Sequence, residues 1–295
     1  GMVGTGFLAR PVLPGPAAGP SLQLWSFPMS SDANPSAAAR LPLFYRRPVP
    51  LSSVDHADWK LKVADYAFAA ETAFVPLVLA EIASASRTYP VVFAGESAAP
   101  LVLTGLEKTN LFVTEGVWDA DAYVPAYVRR YPFGFLATEE RFILALDVEA
   151  EGVVSSGEEG RPLFEEGKPS ELTTQALAFC DTFQGEAAAT TAFAEALKAS
   201  GLLIDRRADV TLPDGRKLGV DGFQIVDAEK FAALDDATVL DWHRKGWLAL
   251  VHFHLMSLDR FTTLLSRQAA RAAAPSSDAA ETPAADRPAA RSKKA

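Results

Sequence analysis

The sequence predicts an α+β fold in which short antiparallel strands and hairpins are combined with several helices. Short β-branched and aromatic runs are separated by glycine and proline, which is typical of strands and turns. One apolar stripe recurs at helical spacing near residues 170–200, and a second group of helical patterns follows residue 235. Strands and helices do not alternate regularly, which argues against the βαβ units of a parallel sheet.

The first half of the chain mixes helical and strand patterns. A helix is predicted from Val75 and Pro76 to Ser86, because proline is tolerated in a first helical turn and Tyr89-Pro90 would stop the helix. The elements predicted after it are strands at Val91–Ala94, Leu101–Leu103 and Asn110–Val113 with turns at Gly95 and Gly105, a short helix over Asp121–Arg130, and a hairpin of Phe133–Leu136 with Phe142–Leu146.

The second half begins with an acidic, glycine-rich loop from Glu149 to Lys168. Ser170 then caps the strongest predicted helix, which Gly185 is expected to kink or split and which Gly201 ends. The elements predicted after it are a hairpin over 210–218 with Asp214-Gly215 in the turn, a continuation of its second strand through Phe223–Val226, and helices over Asp235–Lys245, Trp247–Met256 and Asp259–Arg271, with a break at Gly246.

Composition divides the chain into three parts. Residues 1–40 are rich in Pro, Gly, Ala and Ser, and we expect a disordered or loosely attached extension. Residues 41–271 are expected to form a single α+β domain, and the Ala/Pro-rich residues 272–295 a disordered tail. Gly1 resembles a tag scar, and both Met2 and Met29 would serve as the start methionine.

Composition and charge also exclude several classes of function. The 295-residue chain has a net charge of −9, which is poorly suited to holding a nucleic acid. No apolar run approaches the roughly 20 residues that cross a bilayer, and the N-terminus lacks the pattern of a secretion signal. We therefore expect a soluble, cytoplasmic protein with no membrane span and no nucleic-acid partner.

The histidine and cysteine patterns are weak indicators of chemistry. On one helix His252 and His254 would lie about 200° apart, and His243 would be about 16 Å along the axis from His254, so neither pair could clamp one metal. Only on a strand would His252 and His254 project from the same face. We interpret them as hydrogen-bonded core residues and Cys180 as a small buried hydrophobe. The sequence predicts no metal and no cofactor.

Two clusters of aromatic and basic residues are the best candidates for a binding surface. Trp59 and Lys60 form the first cluster, and the second consists of Tyr123, Tyr127, Arg129, Arg130 and Tyr131. On one helix Tyr123 and Tyr127 would share a face, and the arginines could offer guanidinium groups to a carboxylate or phosphate. The hypothesis is a site for an anionic small molecule or a partner chain. The alternative is that the tyrosines pack in the core and the arginines pair with acidic residues.

Four segments of the chain resemble the SapC family of bacterial surface-layer-associated proteins. The segments are Leu41–Ser52, His56–Leu61, Asp121–Phe133 and Ala208–Arg216, and the most specific is Tyr-Val-Pro-Ala-Tyr-Val-Arg-Arg-Tyr-Pro at 123–132. The resemblance covers about 41–268 and implies an accessory protein associated with a surface layer or with transport. It implies no catalytic residue.

Three functional interpretations follow from these observations. The first is an accessory or binding protein whose partner is a surface-layer or transport-system protein, or an anionic small molecule. The second is an enzyme of unrecognised class whose active site is assembled from His56, Asp58 and Arg130, which folding would have to bring within hydrogen-bond reach. The third is a metal-dependent enzyme that uses His252 and His254.

Overall fold

The largest sheet of the computed structural model has five antiparallel strands. The structure describes residues 9–11, 41–138, 141–157, 159–211, 215 and 217–273. The strands of this sheet are β4 (Phe74–Pro76), β5 (Val91–Ala94), β6 (Pro100–Leu103), β15 (Leu203–Thr211) and β16 (Lys217–Val226). Their order across the sheet is β15-β16-β5-β6-β4. Every residue of β5 and β6 is buried, since the sheet centre is covered on both faces.

A second sheet is built around strand β10 (Arg141–Asp147), which pairs with β9 (Phe133–Ala137) along most of its length. Strand β2 (Pro48–Pro50) pairs with the last three residues of β10, and β1 (Ala9–Pro11) pairs with the first three. The sheet therefore joins the Leu41–Leu51 region to the hairpin that follows residue 132.

Short pairs complete the strand content, and their bounds are β3 (Lys60–Leu61), β7 (Val113–Thr114), β8 (Val117–Trp118), β11 (Val153–Val154), β12 (Arg161–Pro162), β13 (Phe164–Glu165) and β14 (Lys168–Pro169). Strand β3 lies between β11 and β12, β13 pairs with β14, and β7 pairs with β8. All four pairings are antiparallel. The loop predicted over 149–168 is thus folded back onto the segment that follows Trp59.

The helices are α1 (Ile82–Ala85), α2 (Ala126–Arg130), α3 (Glu171–Ser200), α4 (Ala228–Ala232), α5 (Asp236–Arg244), α6 (Trp247–Ser257) and α7 (Arg260–Ala273). Helix α3 begins at Ser170, whose hydroxyl accepts from the Thr173 amide, and ends at Gly201, which has a φ of 67°. It contacts both hydrophobic cores. Cys180 packs in a smaller core with Leu144 and Leu163, and Phe193 packs in the main core against the five-stranded sheet.

The α+β class, the 170–200 helix, the two hairpins and the C-terminal helical group are confirmed. The split considered at Gly185 is wrong, because α3 runs unbroken through it, and the alternative of a kink there stays a prediction. Much of the predicted extension and tail lies outside the described residues, as do Met2 and Met29, so the domain division stays a prediction.

Three local predictions are corrected. The helix expected from Pro76 begins later, since Phe74–Pro76 forms an edge strand, a position that tolerates proline. The strand expected at Asn110–Val113 is mainly a turn, in which the Asn110 amide oxygen accepts from the Phe112 amide.

The third correction concerns the helix expected over Asp121–Arg130. Only Ala126–Arg130 is helical, because the proline at 125 disfavours helical angles in the residue before it. Tyr123 therefore lies outside the helix, and Tyr123 and Tyr127 do not share a helical face.

Candidate functional site

The two aromatic blocks at 41–51 and 121–133 pack against each other. The Tyr127 hydroxyl donates to the Leu43 carbonyl at 3.2 Å, and the Tyr45 hydroxyl donates to the Phe133 carbonyl. The Phe44 and Tyr127 ring centroids lie 5.9 Å apart. Tyr127 is 1% exposed. Most of this aromatic pattern therefore builds the core, as the alternative interpretation of the cluster holds.

Asp147, at the end of β10, joins the same two blocks through its carboxylate. Its oxygens accept from the amides of Arg46 and Arg47 at 2.9 and 2.8 Å and from the Tyr131 hydroxyl at 3.1 Å. The side chain is completely buried. Four donors, including the Glu149 amide, satisfy it, so its role is to fix the position of the Tyr131 region.

Arg130 belongs to the buried part of the cluster. Its guanidinium carbon lies 4.7 Å from the Tyr127 ring centroid and 4.5 Å from that of Phe183. The residue is only 8% exposed. An arginine in this position stays charged and stacks on the rings, which offsets part of the cost of burying it.

Arg129 is the exposed member of the pair. Its Nε donates to the Val124 carbonyl at 3.0 Å, and a terminal nitrogen donates to the Tyr123 hydroxyl at 3.3 Å. The guanidinium also lies 5.8 and 5.4 Å from the ring centroids of Tyr123 and Phe179. These contacts hold the charged end in one place, while 44% of the side chain stays exposed.

Buried Glu81 fixes the inner side of this arrangement. Its carboxylate accepts from the Val78 amide, the Ala126 amide and the Tyr123 hydroxyl, and one oxygen lies 3.9 Å from Arg129. Burial raises the pKa of Glu81, although the hydrogen bonds and Arg129 oppose that rise. Glu81 thus orients Tyr123 and, through it, Arg129.

Arg129 separates two adjoining cavities, of about 290 and 280 Å³, which we call the Arg129 groove. One wall of the first cavity is the segment 61–66, and the other includes Arg129, Tyr131 and Pro132. The second cavity continues along the first turns of α3, past Phe179 and Cys180. Arg129 and Tyr131 line both cavities.

The charged groups around the first cavity are mixed. Arg161 and Lys62 add positive charge, and Lys62 pairs with Glu159 at 2.7 Å. Asp65 and Glu151 add negative charge, but one Asp65 oxygen accepts from the Ala67 amide and helps to shape the turn that follows. Arg129 is therefore the cation whose position is most fully fixed by its neighbours.

Trp59 and Lys60 lie beside the groove rather than in it. Trp59 packs against the smaller core and contacts the His56 ring edge-on, with 4.7 Å between centroids. Lys60 is in β3, and neither residue lines a cavity of the Arg129 groove. Only the adjacent Leu61 reaches it, so the structure does not merge the two predicted clusters into one surface.

The residues proposed for an enzymatic site have different surroundings. His56 is buried, and its Nδ1 accepts from the Ser52 amide at 3.1 Å, which closes a local turn. Asp58 is exposed, whereas Arg130 lies among the rings of the main aromatic cluster. His56 has a structural partner, and neither His56 nor Asp58 lines a cavity of the Arg129 groove, whereas Arg130 lines the second one.

The C-terminal histidines occupy opposite faces of α6. His252 is exposed, whereas His254 is buried between the Val226 amide, from which Nε2 accepts at 3.0 Å, and the Val91 carbonyl, 2.7 Å from Nδ1. Burial lowers the pKa of His254 to about 4, so the ring is neutral at pH 7. In the part of the chain that is described, no group of three or more His, Cys, Asp or Glu residues could hold a metal ion.

Cys180 faces the smaller core from α3 and is 2% exposed. Burial raises the pKa of its thiol to about 12, against the opposing effect of Arg130. The reactive thiolate is therefore scarce at neutral pH, as expected for a cysteine that acts as a small hydrophobe.

A family model described as SapC matches residues 51–264. The chain belongs to the SapC family. The matched span contains the 121–133 block and the Arg129 groove, while residues 41–50 precede it. No curated protein and no solved structure matches the chain. None of the helices in the described ranges is both long enough and apolar enough to span a membrane.

Sequence reasoning identified Arg129 but missed the rest of its setting. Glu81 was placed inside a helix, and the wall at 61–66 and Arg161 were not singled out. No local pattern marks these residues, because they meet only when the 149–168 loop folds back onto β3 and the 3₁₀ turn at Leu79–Glu81 packs beneath Tyr123.

Proposed function

We propose that this SapC-family chain is a binding or accessory protein whose Arg129 groove recognises an anionic group on its ligand or partner. The observation that carries the proposal is the setting of Arg129. Arg129 lines both cavities of the groove, its guanidinium is held by two hydrogen bonds and two rings, and 44% of its side chain is exposed.

A preset guanidinium is a good receptor for a carboxylate or phosphate. Its planar donors match these oxygens in pairs, and an arginine that is already held loses little side-chain entropy when it binds. The walls supply the apolar surface that ligand sites usually combine with a few polar groups, chiefly Leu61, Phe68 and Pro132. A surface-layer or transport-system protein, as the family association implies, would bring such a group on its surface.

The direct test is an NMR titration of the ¹⁵N-labelled full chain with N-acetylglycine, inorganic phosphate and neutral N-acetylglycinamide. We expect the two anions to shift the Arg129 Nε–H signal and the backbone amide signals of residues 61–66 and 128–131. The neutral N-acetylglycinamide should leave these signals unchanged. Arg129→Ala and Arg129→Gln should abolish the shifts, whereas Arg244→Ala, at an exposed position on α5, should keep them.

Shifts that are the same in Arg129→Gln and in the unmodified chain would overturn the proposal, as would equal responses to the charged and neutral probes. Melting temperatures of the variants show whether each one is folded, and Arg129→Gln keeps a side chain that can still hydrogen-bond to Val124.

A further inference from the structure

One wall of the Arg129 groove is a segment that lies outside any helix or strand and is open to solvent. Residues 62–65 follow β3 and are all exposed, and Val63 is 99% exposed. The segment has no strand partner beyond Leu61, where the pairing of β3 with β11 and β12 ends.

Both ends of this segment are fixed. The Lys62 amide donates to the Gly152 carbonyl at 2.8 Å, and the Tyr66 amide donates to the Gly116 carbonyl at 2.7 Å. Between them, the backbone N–H and C=O groups of residues 63–65 make no hydrogen bond within the described ranges. The result is a short segment that follows β3, is fixed at both ends and presents an edge of unpaired backbone groups beside the groove.

An anchored strand edge is a template for another main chain. Its N–H and C=O groups alternate along the chain, and an added strand satisfies them in register, as in peptide recognition by strand addition. A small anion has no groups that match this alternation. It would contact Arg129 and leave residues 63–65 in water.

The dimensions and charge of the groove agree with a segment of a longer chain. Each cavity is at or below the lower end of the roughly 300–1,000 Å³ range of sites that enclose a small ligand. Because Arg129 lines both cavities, each cavity could hold one side chain of the same extended segment. Arg129 and Arg161 complement a carboxylate on that segment.

We infer that the Arg129 groove takes an extended polypeptide, whose main chain pairs with residues 63–65 and whose carboxylate meets Arg129. This inference rests on the proposed function and specifies its ligand class. The carboxylate has two sources, an Asp or Glu side chain or a free C-terminus, and the experiment separates them.

The probes are four mixtures of N-acetylated random pentapeptides, applied to the immobilised full chain. The first has free C-termini and no Asp or Glu, the second has C-terminal amides and one Asp or Glu, and the third has amides and no acidic residue. The fourth combines the sequences of the first and second and is N-methylated at every main-chain nitrogen, which removes all main-chain donors. Mass spectrometry measures the fraction retained.

We expect the first or the second mixture to be retained at least tenfold better than the third and fourth. Whichever is retained identifies the source of the carboxylate. Arg129→Gln should lower retention at least tenfold, and Arg244→Ala should not. The retained peptides should slow amide hydrogen exchange at residues 63–65 at least fivefold, an effect that carboxylate binding alone would not produce.

Equal retention of the N-methylated mixture, or unchanged exchange at 63–65, would overturn the inference. If N-acetylglycine binds at Arg129 but no peptide mixture exceeds it, the proposed function stands and the polypeptide ligand is wrong. If neither binds in an Arg129-dependent way, both are wrong. Slow exchange at 63–65 in the free chain would assign the edge to one of the chain's own terminal segments and would also overturn the inference.

Discussion

Arg129 and Arg130 are adjacent in sequence but have different surroundings. Arg130 is enclosed by the rings of Tyr127 and Phe183, whereas Arg129 extends along Tyr123 into a groove. The difference arises because α2 is only five residues long and packs one side on the main core, so consecutive side chains point inward and outward. The charge available to a ligand is therefore that of Arg129.

Glu81→Gln tests the buried support of Arg129. The carboxylate accepts on both oxygens, from the Val78 amide on one and from the Ala126 amide and Tyr123 hydroxyl on the other. A glutamine has one acceptor oxygen, so at least one buried N–H loses its partner, and we expect a loss of about 1–3 kcal/mol in the free energy of unfolding. Urea denaturation measures it.

The matched control is Glu195→Gln, at an exposed position on α3, for which we expect a change within about 0.5 kcal/mol. Equal stability of Glu81→Gln and the control would show that the three hydrogen bonds to Glu81 are unimportant. We also expect Glu81→Gln to weaken N-acetylglycine binding, since Tyr123 would no longer be held.

His254 gives the chain a pH dependence with a definite sign. Burial lowers its folded-state pKa to about 4, while an unfolded histidine titrates near 6.5. Between these values the unfolded state binds more protons, so the stability contributed by neutral His254 is present above pH 6.5 and is lost as the pH falls towards 4. The loss is up to about 3 kcal/mol.

The measurement is the free energy of unfolding of the unmodified chain and of His254→Gln at pH 7.0 and 4.5. We expect the variant to be less stable at pH 7.0 and the difference to shrink at pH 4.5, because only the unmodified chain carries the titrating ring. His243→Gln, at an exposed position, is the control. A difference that stays constant with pH would contradict the assignment.

At the scale of elements, α3 is the helix that connects the two cores. Alanine substitutions of the glycine within it and of the glycine that ends it are expected to change stability in opposite directions. Gly185 is exposed in mid-helix, and a Cβ added there meets no atom within 4 Å. Gly185→Ala should stabilise the chain by about 0.5–1 kcal/mol. Gly201 has a φ of 67°, so Gly201→Ala should destabilise it by about 1 kcal/mol. Thermal unfolding of both variants measures the two changes, and effects of the same sign would contradict this account of the helix.

The same elements show how far the sequence predicts structure. The 170–200 helix was predictable because its cap, apolar stripe and terminal glycine agree, and the hairpins were predictable from turn residues between apolar runs. The 121–130 segment was not predicted correctly. Its spacing is compatible with a helix, but the proline at 125 disfavours helical angles in the residue before it, so the helix begins at Ala126. The helix predicted from Pro76 was wrong for a similar reason, since a proline in a first helical turn and a proline in an edge strand have the same local sequence pattern.

At the scale of the whole molecule, buried Asp147 joins segments that are about a hundred residues apart in sequence. It binds the amides of Arg46 and Arg47, the Tyr131 hydroxyl and the Glu149 amide. Asp147→Asn replaces one acceptor oxygen with a donor, so one or two part-buried amides lose their bond to the fully buried side chain. We expect a loss of about 2–4 kcal/mol and faster proteolysis within 41–50.

Asp55→Asn, in the exposed turn after Ser52, is the matched control and should leave both readouts unchanged. If Asp147→Asn loses less than about 0.5 kcal/mol, as exposed substitutions do, then the 41–51 block is held mainly by its ring contacts rather than by this carboxylate.

The groove is the part of the molecule that the sequence could not predict. Its walls come from segments near residues 61–66, 128–133 and 172–180, which are separated by tens of residues and share no motif. Arg129 was found because arginine beside tyrosine is a recognisable combination. Its exposure, and the burial of Arg130, are set by tertiary packing that has no local signal.

The most direct test of the central claim is co-purification from cells of the source organism with three tagged forms of the 295-residue chain, followed by mass spectrometry of the retained small molecules and peptides. The three forms are the unmodified chain, Arg129→Gln and Arg244→Ala. The account predicts at least one species that is retained in stoichiometric amount by the unmodified chain and by Arg244→Ala and is lost from Arg129→Gln. If all three folded proteins retain the same species in the same amounts, Arg129 is not the recognition group and the claim is wrong.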